Sequence, residues 1–157
     1  MNFSDSYGVA TPTHKVLDAL ISPQLMEKRM KELSVSSYSF TQSDNELILH
    51  FEIPTDKLPA MATKLLADNT DLDIPFLREG SRVVSDINPP KLPGSARIVM
   101  DVCCDDENSS TVTVSGYVKV GIPFFGKKVE QLIVEHVGKV ISLDADIVRS
   151  IVTDTED

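Results

Sequence analysis

The chain has 157 residues, 41% of them hydrophobic, and a formal net charge of −9. This length fits one domain, which buries roughly 68–70% of its unfolded surface and needs no disulfide or metal to hold it together. The acidic balance argues against binding to nucleic acids and anionic lipids, because both need clustered Lys and Arg.

The first part of the chain predicts one strand and two short helices. Phe3 to Val9 alternates weakly between polar and apolar residues, as a half-buried strand does. Apolar residues at helical spacing indicate two helices within 13–33. The break between them falls at Ser22-Pro23, where Ser22 is a candidate N-cap and Pro23 takes the first helical position.

The middle of the chain predicts several strands and one short helix. Val35–Thr41 and Glu46–Ile53 flank a turn-rich tetrad, which is typical of a hairpin. A short helix is predicted over 56–68. Pro75 favours an edge or a bulge for the next strand, because proline cannot donate to the ladder. The further predicted strands are Leu72–Arg78, Ser81–Ile87 and 96–104.

The last third of the chain carries the clearest pattern. Thr111–Val120 alternates strictly, and a single helix then continues to about Val152. A helix of this kind buries its apolar stripe, most simply against the sheet it has just left. We expect one domain over residues 1–152 and an acidic tail over 153–157. The predicted stripe contains Val129, Ile133, His136, Val140, Leu143, Ile147 and Ile151.

Two stretches of the sequence carry a family resemblance: Ile53–Pro59 and Gly116–Glu130. With the order of elements, they resemble the START-like superfamily (the SRPBCC group, which includes Bet v 1-like proteins). They are most similar to an uncharacterised, mostly actinobacterial family within it. Members of that family often have a tryptophan in a middle strand. This chain has none, so the wall near Phe76–Glu79 is where it departs from the family.

The resemblance implies an α+β helix-grip fold. In this fold a curved antiparallel sheet of about six or seven strands wraps around a long C-terminal helix, and two short helices follow strand 1. In many relatives an apolar cavity between sheet and helix binds a hydrophobic small molecule. The relatives include carriers, enzymes and co-chaperones, and the fold does not choose among them.

Two polar residues of the last helix are candidates for a cavity site. Glu130 lies in the first turns, where the helix dipole favours a carboxylate, so a structural role is one interpretation. A carboxylate that orients a ligand or acts as a base is the other. His136 falls in the apolar stripe, either as a hydrogen-bonded wall residue or as a group that contacts ligand or moves a proton.

Apolar residues supply the other candidates for a cavity gate or lining. Small-molecule pockets are mainly apolar with few polar groups, which this set matches. Plain core packing is the alternative interpretation for the same residues. The set consists of Phe76, Phe124, Phe125, Met61, Leu65 and Leu66, and Ile133 of the helix stripe is a further cavity candidate.

The sequence predicts no metal and no cofactor. Asp71 with Asp73, and Asp144 with Asp146, lack accompanying His or Cys at ligand spacing, so we expect loop or helix surface at both places. Gly121–Lys128 resembles a phosphate-binding loop, but Lys128 stands where a magnesium-binding hydroxyl is required.

Three functions remain open from the sequence. The first is binding of a small hydrophobic or amphipathic molecule, the second a cyclase- or hydrolase-like enzyme, and the third a ligand-free protein-interaction module. We expect a cytoplasmic protein that is not embedded in a membrane, because no signal peptide or long apolar run is visible. Adjacent Cys103 and Cys104 are then two reduced thiols. The sequence gives no oligomeric state.

Overall fold

The structure of the chain, a computed structural model, describes residues 1–52, 71–89, 94–122, 124 and 126–154. Over these ranges the chain forms seven strands and three helices. The strands are β1 (Asn2–Val9), β2 (Tyr38–Gln42), β3 (Glu46–Glu52), β4 (Asp71–Glu79), β5 (Arg82–Ile87), β6 (Gly94–Asp106) and β7 (Ser109–Val120). The helices are α1 (Thr13–Leu20), α2 (Pro23–Glu32) and α3 (Gly126–Asp154). The helix predicted over 56–68 lies outside the described residues.

The seven strands form one curved antiparallel sheet in the order β1-β7-β6-β5-β4-β3-β2. Strand β1 pairs with β7 and not with β2, because α1 and α2 carry the chain across the sheet before β2 begins. The long helix α3 packs against β1, β7 and both short helices. The predicted helix-grip architecture is confirmed.

The core lies between α3 and the concave face of the sheet. Side chains alternate between the two faces of each strand. The register aligns Val83, Met100 and Val114 across β5, β6 and β7, and all three are buried. Ile141 and Val148 of α3 belong to the same buried cluster. The helix therefore covers the face that carries these residues.

The break between α1 and α2 has the predicted chemistry. The hydroxyl of Ser22 accepts a hydrogen bond from the backbone N–H of Leu25 at 3.2 Å, and Pro23 begins α2. Proline fits the first helical position because no intrahelical partner exists there for an N–H. The predicted N-cap is confirmed.

The place of β4 in the sheet and the end of α3 are among the features that differ from the prediction. Strand β4 lies inside the sheet, between β3 and β5, and not at an edge. Pro75 pairs with Ile48 of β3, whereas the pairing of β4 with β5 runs only over Leu77–Glu79. Proline is tolerated at this position because β5 does not pair with it and so requires no N–H donor from it. Helix α3 ends at Asp154, two residues beyond the predicted end.

Gly116 of β7 allows a close approach of two strands and a ring. A Cβ atom at this position would overlap the backbone carbonyl of Arg97 and lie 3.1 Å from the ring of Phe3. Only glycine avoids that overlap.

Candidate functional site

Helix α3 has a closed half and an open half. In the closed half, residues 141–152, the side chains that face the core are buried. Ile151 is 6% exposed, whereas Ile133, on the same side of the helix about five turns earlier, is 37% exposed. Val129, Val137 and Val140 are only partly buried. We call residues 129–140 the open half of α3.

The concave face of the sheet has the same gradient. On β4, Phe76 is buried and Ile74 is partly buried. On β5, Val83 is fully buried and Ile87 is partly buried. Phe51 of β3, which pairs towards the same end, is also only partly buried. The partly buried apolar residues at this end of the sheet and in the open half of α3 form the candidate site.

A buried ion pair marks the inner end of this site. Arg29 of α2 donates from Nε and Nη2 to the two carboxylate oxygens of Asp144 on α3, at 2.9 and 2.7 Å. The same guanidinium lies 5.5 Å from the ring centre of Phe76. Its Nη1 donates to the sulfur of Met26 at 3.5 Å, and sulfur is a weak acceptor.

Two buried hydroxyls on the concave face lack a hydrogen-bond partner within the described part of the chain. They are Tyr7 Oη and Ser85 Oγ. Burial raises the pKa of Tyr7 above its ordinary range, and the negative charge of Asp144 adds to that rise. Tyr7 therefore stays a neutral donor. Ser85 lies opposite Ile98 on the concave face, between buried Val83 and partly buried Ile87.

Glu130 is placed as a structural residue. One carboxylate oxygen accepts the backbone N–H of Val120 at 3.0 Å, and the other lies 3.8 Å from the amino group of Met1. The side chain is 15% exposed. These contacts join the first turns of α3 to the end of β7. They favour the structural interpretation over that of a free carboxylate.

The other predicted site residues fall in different places. Phe76 is buried at the inner end of the candidate site, and Ile133 is on the open half of α3. His136 is exposed, so it is not a core residue. Phe124 is fully exposed and has a φ of 70°, a backbone conformation that is uncommon outside glycine. Phe125, Met61, Leu65 and Leu66 lie outside the described residues.

The sequence does not predict the ion pair at the inner end of the site. For Asp144, one of its two residues, the prediction is wrong. Asp144 is expected on the helix surface, but it is buried. The available signal lies in its flanking residues, since Val140, Ile141, Ile147 and Val148 stand three and four positions away and are apolar. No local signal identifies Arg29 as its partner. The two are distant in sequence and meet only when α2 packs on α3.

A concavity lies at the closed end of the sheet. It is a groove of about 530 Å³ between β1, the β6–β7 hairpin and the end of α3. Arg149 Nε donates to the carbonyl oxygen of Gly8 at 3.0 Å, and Asp105 accepts from the hydroxyl of Thr111 at 2.7 Å. Because its charged side chains already have protein partners, this groove is the weaker candidate. Its lining is Gly8, Val9, Ala10, Asp105, Ser109, Ser110, Arg149, Val152 and Thr153.

Metal ligation and membrane insertion can be assessed over the described ranges. Within them no three His, Cys, Asp or Glu side chains are grouped as a metal site requires. No helix among the described residues is long and apolar enough to cross a membrane.

Comparison with known proteins gives a family and a fold. Residues 6–151 match a family described as protein of unknown function (DUF2505). A search among curated proteins gives no match. A point mutant of norcoclaurine synthase from Thalictrum flavum superposes with a TM-score of 0.71 at 15% identity, over 100% of this chain and 96% of that one.

Two bacterial structures are also similar. A START superfamily protein from Mycobacterium smegmatis has a TM-score of 0.57 at 11% identity, over 98% of both chains. The Zhui aromatase/cyclase from Streptomyces sp. R1128 has a TM-score of 0.63 at 6% identity, over 96% of this chain and 92% of that one. At such identities the similarity concerns the fold alone, which is START-like and Bet v 1-like. That the family is mostly actinobacterial stays a prediction.

Proposed function

Because the chain belongs to the DUF2505 family and has the START-like fold, we propose that it binds a small hydrophobic or amphipathic molecule. The molecule lies between the concave face of the sheet and the open half of α3. The whole of residues 1–152 acts as one binding domain.

The observation that carries the proposal is the difference in burial between Ile133 and Ile151. Full burial of an aliphatic side chain stabilises a fold by roughly 1.5–3 kcal/mol. In the open half of α3 part of that stabilisation is not realised by contacts among the described residues. An apolar ligand that covers Ile133, Val137 and Ile74 supplies the missing contact, as in pockets lined mainly by apolar side chains.

The predicted site residues take distinct roles in this proposal. Ile133 forms the helix wall, and Phe76 forms the inner end beside Arg29. His136 and Phe124 are exposed and stand at the rim. Met61, Leu65 and Phe125 remain candidates for the lining.

Catalysis by Glu130 or His136 is the less well supported function. Glu130 already accepts a backbone hydrogen bond and lies beside an amino group, and His136 is exposed to solvent. Interaction with another protein also has less support, because only four large hydrophobic side chains within the described ranges are exposed, namely Met1, Phe124, Leu132 and Ile133. A cytoplasmic location fits the free thiols of Cys103 and Cys104.

Native mass spectrometry of the purified protein, followed by organic extraction, tests the proposal directly. We expect a bound apolar compound, or uptake of the neutral fluorescent probe N-phenyl-1-naphthylamine with micromolar affinity. Protein that carries no compound and takes up no probe would contradict the proposal.

A matched pair of variants locates the probe. Ile133→Trp fills space beside the open half of α3, so we expect at least a tenfold loss of probe affinity. Leu132→Trp is the control, because Leu132 is 42% exposed but points about 100° away around the helix. Equal effects of the two substitutions would contradict the proposed position.

A further inference from the structure

We propose that the edge strand β2 pairs with β2 of a second copy of this chain, so that two sheets join into one across a two-fold axis. This pairing is independent of ligand binding and uses a surface outside the candidate site. Backbone hydrogen bonds hold the two copies together, and no apolar patch is required.

Strand β2 has one side of its backbone unpaired. It is the last strand of the sheet and pairs with β3 alone. The N–H of Glu52 donates to the carbonyl oxygen of Ser37, which lies just before β2. Hydrogen-bonded pairs alternate along an antiparallel ladder, so the odd-numbered residues of β2 bond to β3 and the even-numbered ones do not. The residues whose N–H and C=O groups point away from the sheet are Tyr38, Phe40 and Gln42.

This edge is uncovered within the described part of the chain. Among the described elements, β3 is the only one that packs extensively on β2. The side chains of Ser39, Thr41 and Gln42 are exposed. No backbone group of another described segment bonds to the outward side of β2. The edge is therefore accessible to a further strand.

The opposite edge of the sheet, β1, is protected. Helix α3 packs on β1. The N–H of Ser6 donates to the carboxylate of Asp5 at 2.8 Å, and the carbonyl oxygen of Gly8 accepts from Arg149 at 3.0 Å. Charged side chains on an edge strand oppose its pairing with another chain. Strand β2 has no such protection, which distinguishes the two edges.

The composition of β2 suits pairing with itself. Its five residues, Tyr38–Gln42, carry no charge, in a chain whose formal net charge is −9. Like charges directly opposite each other destabilise a strand pair, and two copies of β2 bring none together. Tyrosine, phenylalanine and threonine also favour extended backbone. A second copy therefore meets no electrostatic barrier within the strand itself.

The outward groups determine the register of the pairing. When two antiparallel copies meet about a two-fold axis at Phe40, Phe40 faces Phe40 of the second copy, and Tyr38 faces Gln42 of the second copy. All of these residues direct their backbone groups outward, so about six hydrogen bonds form. Ser39 then lies directly opposite Thr41 of the second copy. Both are on the convex face, because Tyr38 and Phe40 pack against the core.

The shortness of β2 predicts a weak dimer. Its five residues are far fewer than the about 20–30 residues that each side of a stable interface contributes. We expect a dimer Kd on the order of 10–100 µM, measured by sedimentation velocity from about 5 to about 500 µM protein.

Charges placed at Ser39 and Thr41 test the register. In S39K/T41K each lysine lies opposite a lysine of the second copy, so we expect the dimer to be about tenfold weaker or more. In S39K/T41E each lysine lies opposite a glutamate, so the dimer should be at least as tight as that of the wild-type protein. The control is S4K/S6K, which adds the same charge at exposed positions of β1 and should not weaken the dimer.

Hydrogen exchange in the wild-type protein tests the same pairing without a substitution. The amides of Tyr38, Phe40 and Gln42 should exchange about threefold more slowly at about 500 µM than at about 20 µM protein. The amides of Ser39 and Thr41 already bond to β3 and should exchange at the same rate at both concentrations. This measurement holds even if a variant fails to fold, which urea midpoints reveal.

Each outcome decides for or against the pairing. Weakening by S39K/T41K with recovery in S39K/T41E, together with slower exchange at the even-numbered residues, supports it. A monomer at every concentration would overturn it and leave the edge to an extended segment of another protein. A dimer that S39K/T41K leaves intact, that S4K/S6K weakens equally, or that a folded S39K/T41E variant fails to form would also overturn it.

Discussion

Arg29 and Asp144 form a bidentate ion pair in the interior, between the second short helix and the closed half of the long helix. Both side chains are nearly inaccessible to solvent. Breaking such a pair leaves one charge buried and alone, which typically costs about 3–5 kcal/mol. We therefore expect Asp144→Ala to lower the free energy of unfolding by about that amount in urea denaturation.

The control for this prediction is an ion pair of the same type at the surface. Arg97 donates to Asp86 at 3.0 Å, and both side chains are well exposed. Asp86→Ala should change the free energy of unfolding by less than about 1 kcal/mol. Similar losses of the free energy of unfolding for the two substitutions would contradict the prediction that the buried pair stabilises the fold more than the exposed pair does.

Glu130 provides a test of a structural role for a predicted site residue. Glu130→Ala removes the acceptor of the Val120 N–H, and a hydrogen bond to a charged group contributes about 1.5–3 kcal/mol. We expect a stability loss of that size, with probe affinity unchanged. Glu135→Ala is the control, because its carboxylate accepts a long hydrogen bond of 3.5 Å from Gln131 at an exposed position. A loss of probe affinity without a loss of stability would return Glu130 to the binding site.

Two glycines should respond in opposite directions to alanine. A Cβ at Gly116 would overlap the carbonyl of Arg97, so Gly116→Ala should destabilise the sheet by several kcal/mol, on the order of the larger single-residue effects. Gly138 lies within α3 and has open space around its Cα. Gly138→Ala should stabilise the protein by about 0.5–1 kcal/mol, because alanine is the better helix former. Melting temperatures measured side by side would decide, and equal shifts would contradict the register of β6 and β7.

The buried hydroxyl of Tyr7 predicts a loss of stability in alkaline solution. Burial raises its pKa in the folded state, so above about pH 10 the unfolded chain releases this proton and the folded chain keeps it. Stability from this group is full below about pH 10 and falls as the pH rises further. Urea midpoints between about pH 9 and pH 11 should fall more steeply for the wild-type protein than for Tyr7→Phe. Parallel curves for the two proteins would contradict the raised pKa.

Local patterns are sufficient to predict much of the fold. Strict alternation over Thr111–Val120 and helical spacing after it depend on neighbouring residues, so they can be read from the chain directly. The same holds for Ser22 and Pro23, whose capping geometry is set within one turn. These predicted features are found in the structure.

The candidate site depends on contacts between distant residues, which local patterns do not contain. Ile133 and Ile151 are equivalent in the apolar stripe, and their different burial depends on what packs against each half of α3. Asp144 is a residue type that is usually found on helix surfaces, and its burial depends on Arg29 of another helix. Pro75 is predicted at an edge or a bulge because the length of the β4–β5 pairing cannot be read from either strand.

The central claim is that a ligand occupies the space between the open half of α3 and the sheet. Methyl NMR spectra of isoleucine-labelled protein, recorded during titration with N-phenyl-1-naphthylamine, test it most directly. The account predicts large shifts for Ile133, Ile74 and Ile98 at saturation, and little change for Ile151. Unchanged isoleucine methyls at saturating probe, or shifts concentrated at Ile151, would contradict it.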